Sequence, residues 1–133
     1  MCISRILFRF VTFRKRKVKI CGKIFSLEIA DTFVKQMLGL MHRESIGKRE
    51  GMLFVFGRDG MNSIWMANMN FPIDIIWLDA DGIVVGIEEM AAPCRNIFNC
   101  RAYSPSKESR YVIELKGGVA SSIGIRKGVA VHI

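Results

Sequence analysis

The chain is poor in the residues that most often carry catalysis or bind metals. Only two of its 133 residues are histidines, His42 and His132. A structural zinc site normally needs four cysteine or histidine ligands at short spacings, and the sequence does not supply them. The glycine pairs lack the lysine and helix context of a phosphate loop, and no dinucleotide fingerprint is present. We therefore predict no metal and no cofactor, and we assign no catalytic residue.

Long hydrophobic runs are also missing. Half of the residues are hydrophobic, but no apolar run approaches the roughly 20 residues that a bilayer-spanning helix needs. This excludes a helical integral membrane protein. A length of 133 residues is typical of one domain.

Acidic residues are absent from residues 1–23, which carry eight basic side chains, whereas residues 24–133 carry twelve basic and twelve acidic groups. A nucleic-acid-binding domain should carry its basic groups on a folded face, so we predict no specific nucleic-acid partner. We predict a basic, apolar N-terminal arm at residues 1–17 and a single domain at residues 18–133. The arm either lies on an anionic membrane surface or is flexible.

The arm does not have the features of a cleaved secretory signal. Arg9 interrupts its apolar core, a run of basic residues follows, and no small-residue cleavage site is present. We therefore expect a cytoplasmic protein, peripheral to the membrane if the arm binds lipid, with export as the alternative.

Four cysteines are too few and too scattered for a disulfide scaffold. Only Cys94 and Cys100 lie close together in the sequence. Two interpretations remain open: a disulfide that closes a short loop and contributes roughly 2 kcal/mol by the chain-entropy estimate, or two free thiols. A cysteine–histidine catalytic pair is not predicted, because nothing in the sequence brings either histidine to Cys94.

Residues 51–82 dominate the prediction of the fold. Apolar runs predict strands at 52–56, 64–69 and 73–78, and Asp79–Gly82 has the composition of a hairpin turn leading to a partner strand at 83–90. We also expect two strands within 18–30, a helix after Asp31, a long loop at 91–107 and strands at 111–115 and 129–133.

Predicted strands therefore outnumber predicted helices. The fold class that fits is mainly β (α+β): a small, closed or nearly closed, antiparallel-rich β-barrel with one or two short helices. Closure is favoured because it removes exposed strand edges.

Six segments in the same order resemble the prokaryotic family called domain of unknown function 192. They are Gly39–Arg43, Gly51–Phe56, Trp65–Asn68, Pro72–Gly82, Pro93–Tyr103 and Tyr111–Leu115. The resemblance implies a compact, β-barrel-like fold but no activity, because the family is uncharacterised. Members usually carry Lys, Asn and Thr after the Trp-Met pair, where this chain has Ala67, Asn68 and Met69. If that lysine binds an anionic ligand in relatives, this chain has lost or replaced it.

Asp74 is the polar residue most in need of explanation, since it sits inside an apolar strand. A buried carboxylate must be paired, hydrogen-bonded or directed into a cavity. Asp74 either accepts backbone N–H groups from the turn at residues 70–72 or from Asn68, or it is a polar anchor at the mouth of a pocket.

The aromatic residues allow a similar pair of interpretations. Trp65, Trp77 and Tyr103 could stack on a flat ligand, or they could pack in the core. Strand alternation places Trp65 and Asn68 on opposite faces unless a bulge intervenes.

These observations favour a non-enzymatic, small-ligand-binding module. We predict a groove between Trp65–Asp74 and Cys94–Tyr103, with Trp65, Asn68, Asp74 and Tyr103 as the candidate binding residues. Few titratable groups fall in the apolar strands, which favours binding over acid–base chemistry. The alternatives are an enzyme that acts on a carbohydrate or nucleotide in the same groove, and an interaction protein held at a membrane surface by the arm.

Overall fold

Residues 3–133, the part of the chain that the computed structural model describes, form eight strands, three short α-helices and one 3-10 turn. The elements are α1 (Ile3–Phe10), β1 (Lys15–Ile20), β2 (Lys23–Ala30), α2 (Phe33–Leu38), β3 (Glu50–Gly60), β4 (Ile64–Trp65), β5 (Ile73–Leu78), β6 (Val84–Ala91), the 3-10 turn (Ile97–Asn99), β7 (Ala102–Tyr103), β8 (Ser109–Lys116) and α3 (Val119–Ile123). The predicted class, mainly β (α+β), is confirmed, although three short α-helices are present where one or two were expected. No helix in this range is long and apolar enough to cross a bilayer.

Six strands form one sheet in the order β1-β2-β3-β8-β5-β6, and β4 and β7 form a separate two-stranded sheet. Pairing is antiparallel throughout, except that β2 and β3 run parallel. The late strand β8 lies between β3 and β5, so it joins the first half of the sheet to the second.

The large sheet is open, which corrects the expectation of a closed or nearly closed barrel. Its edges are β1 and β6, and no ladder joins them within residues 3–133. The C-terminal segment bonds instead to the start of β6 and to the turn before it: Val84 N donates to Val129 O at 2.9 Å, and Val131 N donates to Gly82 O at 2.8 Å. A closing strand could not use these backbone groups at the same time.

The C-terminal segment is itself not a strand, so the strand predicted at 129–133 is wrong. Ala130 forms only an isolated bridge with Ile83.

Local sequence explains the β1-β2 hairpin and the bounds of the helix α2. Cys21 and Gly22 connect β1 to β2 and both have positive φ, 48° and 80°, which is the conformation of the type I′ turn that favours a hairpin. Thr32 begins α2 by accepting Lys35 N at 3.3 Å, and Gly39 ends it with φ 48° and an N–H bond to Lys35 O at 2.9 Å. Lys15 to Lys17, assigned above to the arm, are part of β1.

Apolar side chains cover both faces of the sheet, and β5 is consequently buried along its whole length. Ile76 and Leu78 pack in the cluster that includes α3 and the C-terminal segment. Ile75 and Trp77 pack on the other face, in the cluster that includes residues from the end of α2 and the segment after β4.

Cys94 and Cys100 form a disulfide, with their Cα atoms 5.6 Å apart. It closes the loop that contains the 3-10 turn, where Asn96 Oδ1 accepts Phe98 N at 3.1 Å. Cys94 N also donates to Met66 O at 3.1 Å. The bonded loop is therefore attached to the segment that follows β4.

Asp74 is completely buried on β5 and binds backbone groups only. Its Oδ1 accepts Met90 N at 2.9 Å and Gly118 N at 3.2 Å, and its Oδ2 accepts Ala120 N at 2.8 Å. The donors are not those expected from residues 70–72 or Asn68. They belong to β6 and to the start of α3, so this side chain connects β5 to both of these elements.

Replacing Asp74 with Asn is expected to lower the free energy of unfolding by about 1–3 kcal/mol. The amide has one acceptor oxygen, and its NH₂ group would face a backbone donor. Urea denaturation at neutral pH measures the loss. Asp81→Asn, at an exposed turn position, is the control and should stay within about 0.5 kcal/mol of the wild type. A similarly small effect at Asp74 would contradict the assigned role.

Thiol titration tests the disulfide. Protein purified without reductant and then unfolded should react with Ellman's reagent at two cysteines, Cys2 and Cys21, because the other pair is oxidised. After reduction all four cysteines of the sequence should react. Four reactive thiols before reduction would show that the bond is absent.

Candidate functional site

A groove of about 340 Å³ lies between α2 with the residues that follow it, β3, β4 and the centre of β8. Its lining is mainly aromatic and thioether: Phe33, Phe54, Phe56, Trp65, Met37, Met41 and Met69. Three of these side chains remain open to solvent at the rim, since Phe33 is 76%, Trp65 49% and Met37 45% exposed. The volume is within the range of small-molecule pockets, roughly 300–1,000 Å³.

Three polar side chains line the groove, and two of them are already engaged within the protein. Gln36 Nε2 donates to Ala30 O at 3.2 Å and to Val55 O at 2.8 Å, so only its carbonyl oxygen is left for a ligand. The Ser63 and Ser104 hydroxyls bond to each other at 2.6 Å. The third, Glu114, is the only ionisable group among the described lining residues.

Glu114 projects from the middle of β8, opposite Met52 on β3 and Ile75 on β5. Its side chain is 4% exposed, yet its Oε1 has no hydrogen-bond partner within residues 3–133. A Cβ atom on Gly39 would lie 3.6 Å from this oxygen and 3.3 Å from Phe54 Cζ. The end of α2 at Gly39 therefore packs closely against the Glu114 carboxyl and the Phe54 ring.

Burial raises the pKa of Glu114 from its ordinary value of 4.5 to about 8, and the charge of Arg43 opposes this shift more weakly. Arg43 forms its ion pair with Glu28 on β2, and its own buried Nε lacks a partner. At neutral pH the carboxyl of Glu114 is therefore mostly protonated. It can donate one hydrogen bond and accept others in the apolar groove.

Of the four residues predicted to bind a ligand, only Trp65 lines this groove. Asn68 adopts φ 58°, and its side-chain amide lies 3.8 Å from Met41 Sδ. The backbone carbonyl oxygen of Asn68 accepts His42 N at 2.9 Å. Asn68 therefore holds the lining segment against the residues that follow α2. Asp74 is occupied by the backbone donors described above.

Tyr103 pairs with Ile64 across the small sheet but faces a different, more polar cleft of about 460 Å³. There the guanidinium of Arg101 lies 4.6 Å from the ring centroid of Tyr103. Trp77 contributes to the same cleft, and its Nε1 donates to Asn62 O at 2.9 Å. The Cys94–Tyr103 loop and the segment from Trp65 therefore do not form the single groove expected.

The two positions that depart from the family pattern have different environments. Ala67 is fully buried, and Met69 is 8% exposed and lines the groove. Met69 therefore adds a thioether to the lining, whereas Ala67 adds no polar group to it.

Sequence reasoning missed Glu114, although a signal was present. Glu114 lies in the apolar strand at 111–115 just as Asp74 lies in its strand, and the same question about a buried carboxylate applies to it. No group of three or more potential metal ligands clusters within residues 3–133.

Glu114 should make stability fall as pH rises. Because its pKa is about 8 when folded and near 4.5 when exposed, the folded state holds the extra proton between these values. The linked slope is about 1.4 kcal/mol per pH unit while that proton is held. The stabilisation is complete below pH 4.5 and lost once pH passes 8.

Glu114→Gln removes this titration, so the wild type should lose stability relative to the variant between pH 5 and pH 9. Urea denaturation across that range provides the comparison. Glu89→Gln, at an exposed position on β6, should run parallel to the wild type. Parallel curves for Glu114→Gln as well would contradict the raised pKa.

Comparisons with known proteins agree with this fold. The profile of domain of unknown function 192, described as an uncharacterized ACR, matches residues 16–133. The chain is 33% identical over 104 residues to a UPF0127 protein of Thermococcus gammatolerans and 30% identical over 109 residues to one of Thermococcus kodakarensis. These alignments cover 77% and 80% of this chain and 62% of each relative, so the chain spans less than two thirds of their length.

Two crystal structures are similar over most of their length. A Sinorhizobium meliloti protein, provisionally described as a transcription regulator, has a TM-score of 0.82 at 27% identity, covering 92% of this chain and 95% of that one. A protein of unknown function from Novosphingobium aromaticivorans has a TM-score of 0.80 at 31% identity, covering 91% and 85%. With a family profile that matches nearly the whole chain, this protein belongs to the family of domain of unknown function 192.

Proposed function

We propose that the protein binds a small, mostly apolar ligand in the groove above Glu114. The proposal rests on the Glu114 carboxyl, which is only 4% exposed, lines the groove and has one oxygen, Oε1, without a hydrogen-bond partner among the described residues. Leaving a buried polar atom unsatisfied costs roughly 1–3 kcal/mol. A ligand that bonds to Oε1 would recover this energy.

The groove also indicates the chemistry of the ligand. Aromatic and thioether side chains favour a flat or flexible apolar body, and a mostly neutral Glu114 favours one uncharged hydrogen-bonding group at its inner end. The carbonyl oxygen of Gln36 is available to a second donor. No lysine or arginine is among the described lining residues, so a phosphate or carboxylate group would find no counter-charge there.

Binding fits the groove better than catalysis on a carbohydrate or nucleotide. The raised pKa of Glu114 suits a general acid, but glycoside hydrolysis uses a pair of carboxylates, and Glu114 is the only carboxylate among the described lining residues. Sugar hydroxyls would lose hydrogen bonds to water in this apolar lining without replacing them.

The fluorescent neutral amine N-phenyl-1-naphthylamine should bind saturably to the wild-type protein, with increased emission. Met37→Glu places a charge at the apolar rim and should weaken binding by about tenfold or more. The matched control is Met61→Glu: Met61 is 43% exposed, close to the 45% of Met37, and it does not line the groove.

The control variant should bind the dye within about twofold of the wild type, well inside one kcal/mol. Absence of saturable binding to the wild type would reject the proposed site. Equal losses in the two variants would show that the dye binds elsewhere.

A further inference from the structure

The helix α1 presents an apolar stripe that the rest of the protein does not cover. Ile3, Ile6 and Phe10 follow one another at helical spacing, so they share one side of the helix. Their side chains are 72%, 39% and 79% exposed. No residue of α1 is buried, so this stripe contributes little to the core.

A different side of α1 attaches it to the domain. Ser4 Oγ lies 2.8 Å from His42 Nε2, and the rings of Phe8 and His42 are tilted together with centroids 6.1 Å apart. Burial and then the charge of Arg5 lower the pKa of His42, so the imidazole is uncharged at neutral pH. With this side in contact, the stripe of Ile3, Ile6 and Phe10 faces away from His42.

Basic side chains lie on α1 beside the stripe and in the strand that follows. Arg5 and Arg9 share a third side of the helix, and Lys15, Arg16 and Lys17 follow it as exposed residues of β1. Residues 1–23 contain no acidic side chain. Arg14, between α1 and β1, forms an ion pair in which its Nη2 lies 3.0 Å from Asp31 Oδ2.

We propose that α1 and the following basic residues bind the surface of an anionic lipid bilayer. Helices that lie in the membrane interface place an apolar face about 5–10 Å into the headgroup region, and lysine and arginine bind the anionic headgroups around them. The stripe and the cations of this segment match both requirements. Nucleic acid would pair with the cations but would leave the stripe of Ile3, Ile6 and Phe10 in water.

Cosedimentation of the full chain with vesicles tests the proposal. Phosphatidylcholine vesicles containing about 30% phosphatidylserine should bind the protein at low salt, and pure phosphatidylcholine should bind it much more weakly. Raising the salt to about 500 mM should release most of it, because screening weakens the headgroup contacts. Equal binding to both vesicle types, or none to either, would overturn the proposal.

Paired variants separate the two contributions. Arg5→Gln with Arg9→Gln should reduce partitioning by about fivefold per charge, whereas Arg58→Gln with Arg126→Gln, at exposed positions elsewhere, should have little effect. Phe10→Ser should reduce it at least about fivefold. Its control is Phe98→Ser, since Phe98 is 91% exposed on the disulfide loop.

Thermal melting of each variant provides a check on folding, and midpoints should agree with the wild type within about 2 °C, as expected for exposed sites. Two further results would overturn the proposal. One is a loss of vesicle binding in the control variants that equals the loss in the α1 variants. The other is tight binding to duplex DNA that Phe10→Ser leaves unchanged.

Discussion

The sheet depends on the double pairing of one strand. β8 bonds to β3 on one side and to β5 on the other, and Val112 to Leu115 are almost completely buried within it. Without this strand the β1-β2-β3 half and the β5-β6 hairpin would have no ladder between them. Since β8 enters late in the chain, both of its neighbours are distant in sequence, and its position is decided by long-range packing.

Asp74 and Glu114 are both buried on adjacent central strands. Each carboxyl group loses its hydration on folding, and the two are accommodated differently. Asp74 on β5 accepts three backbone N–H groups and so connects β5 to β6 and to the start of α3. Glu114 on β8 has no such donors at Oε1, and burial moves its pKa to about 8 instead. Asp74 is therefore part of the hydrogen-bonding framework of the fold, whereas the proposed function assigns the carboxyl of Glu114 to a ligand. The residue types alone do not distinguish them, because the difference lies in which backbone groups come near.

Local features of the fold could be predicted from the sequence, and long-range features could not. The hairpin of β1 and β2, the strand Ile73–Leu78 and the turn after it are confirmed, because each depends on neighbouring residues. The strand expected at 64–69 ends at Trp65. At the next residue, the Met66 carbonyl oxygen accepts a hydrogen bond from the backbone N–H of Cys94 instead of from a neighbouring strand. The strand expected at 52–56 extends further and ends at Gly60. Of the groove lining, Trp65 was predicted from its residue type, whereas Glu114 was missed, because its setting depends on the end of α2 packing against its carboxyl at Gly39.

An open sheet has two edge strands, and the backbone groups of the two are covered to different extents in this protein. The start of β6 is capped by hydrogen bonds from the C-terminal segment, whereas β1 has neighbours on one side only. Free strand edges are templates for pairing between molecules, and lysine is among the residues that natural proteins place there to prevent it. Four of the six residues of β1 are basic: Lys15, Arg16, Lys17 and Lys19. A second copy that approached edge to edge would bring like charges together, so these side chains also protect the folded protein from aggregation, and they protect it best when salt is low.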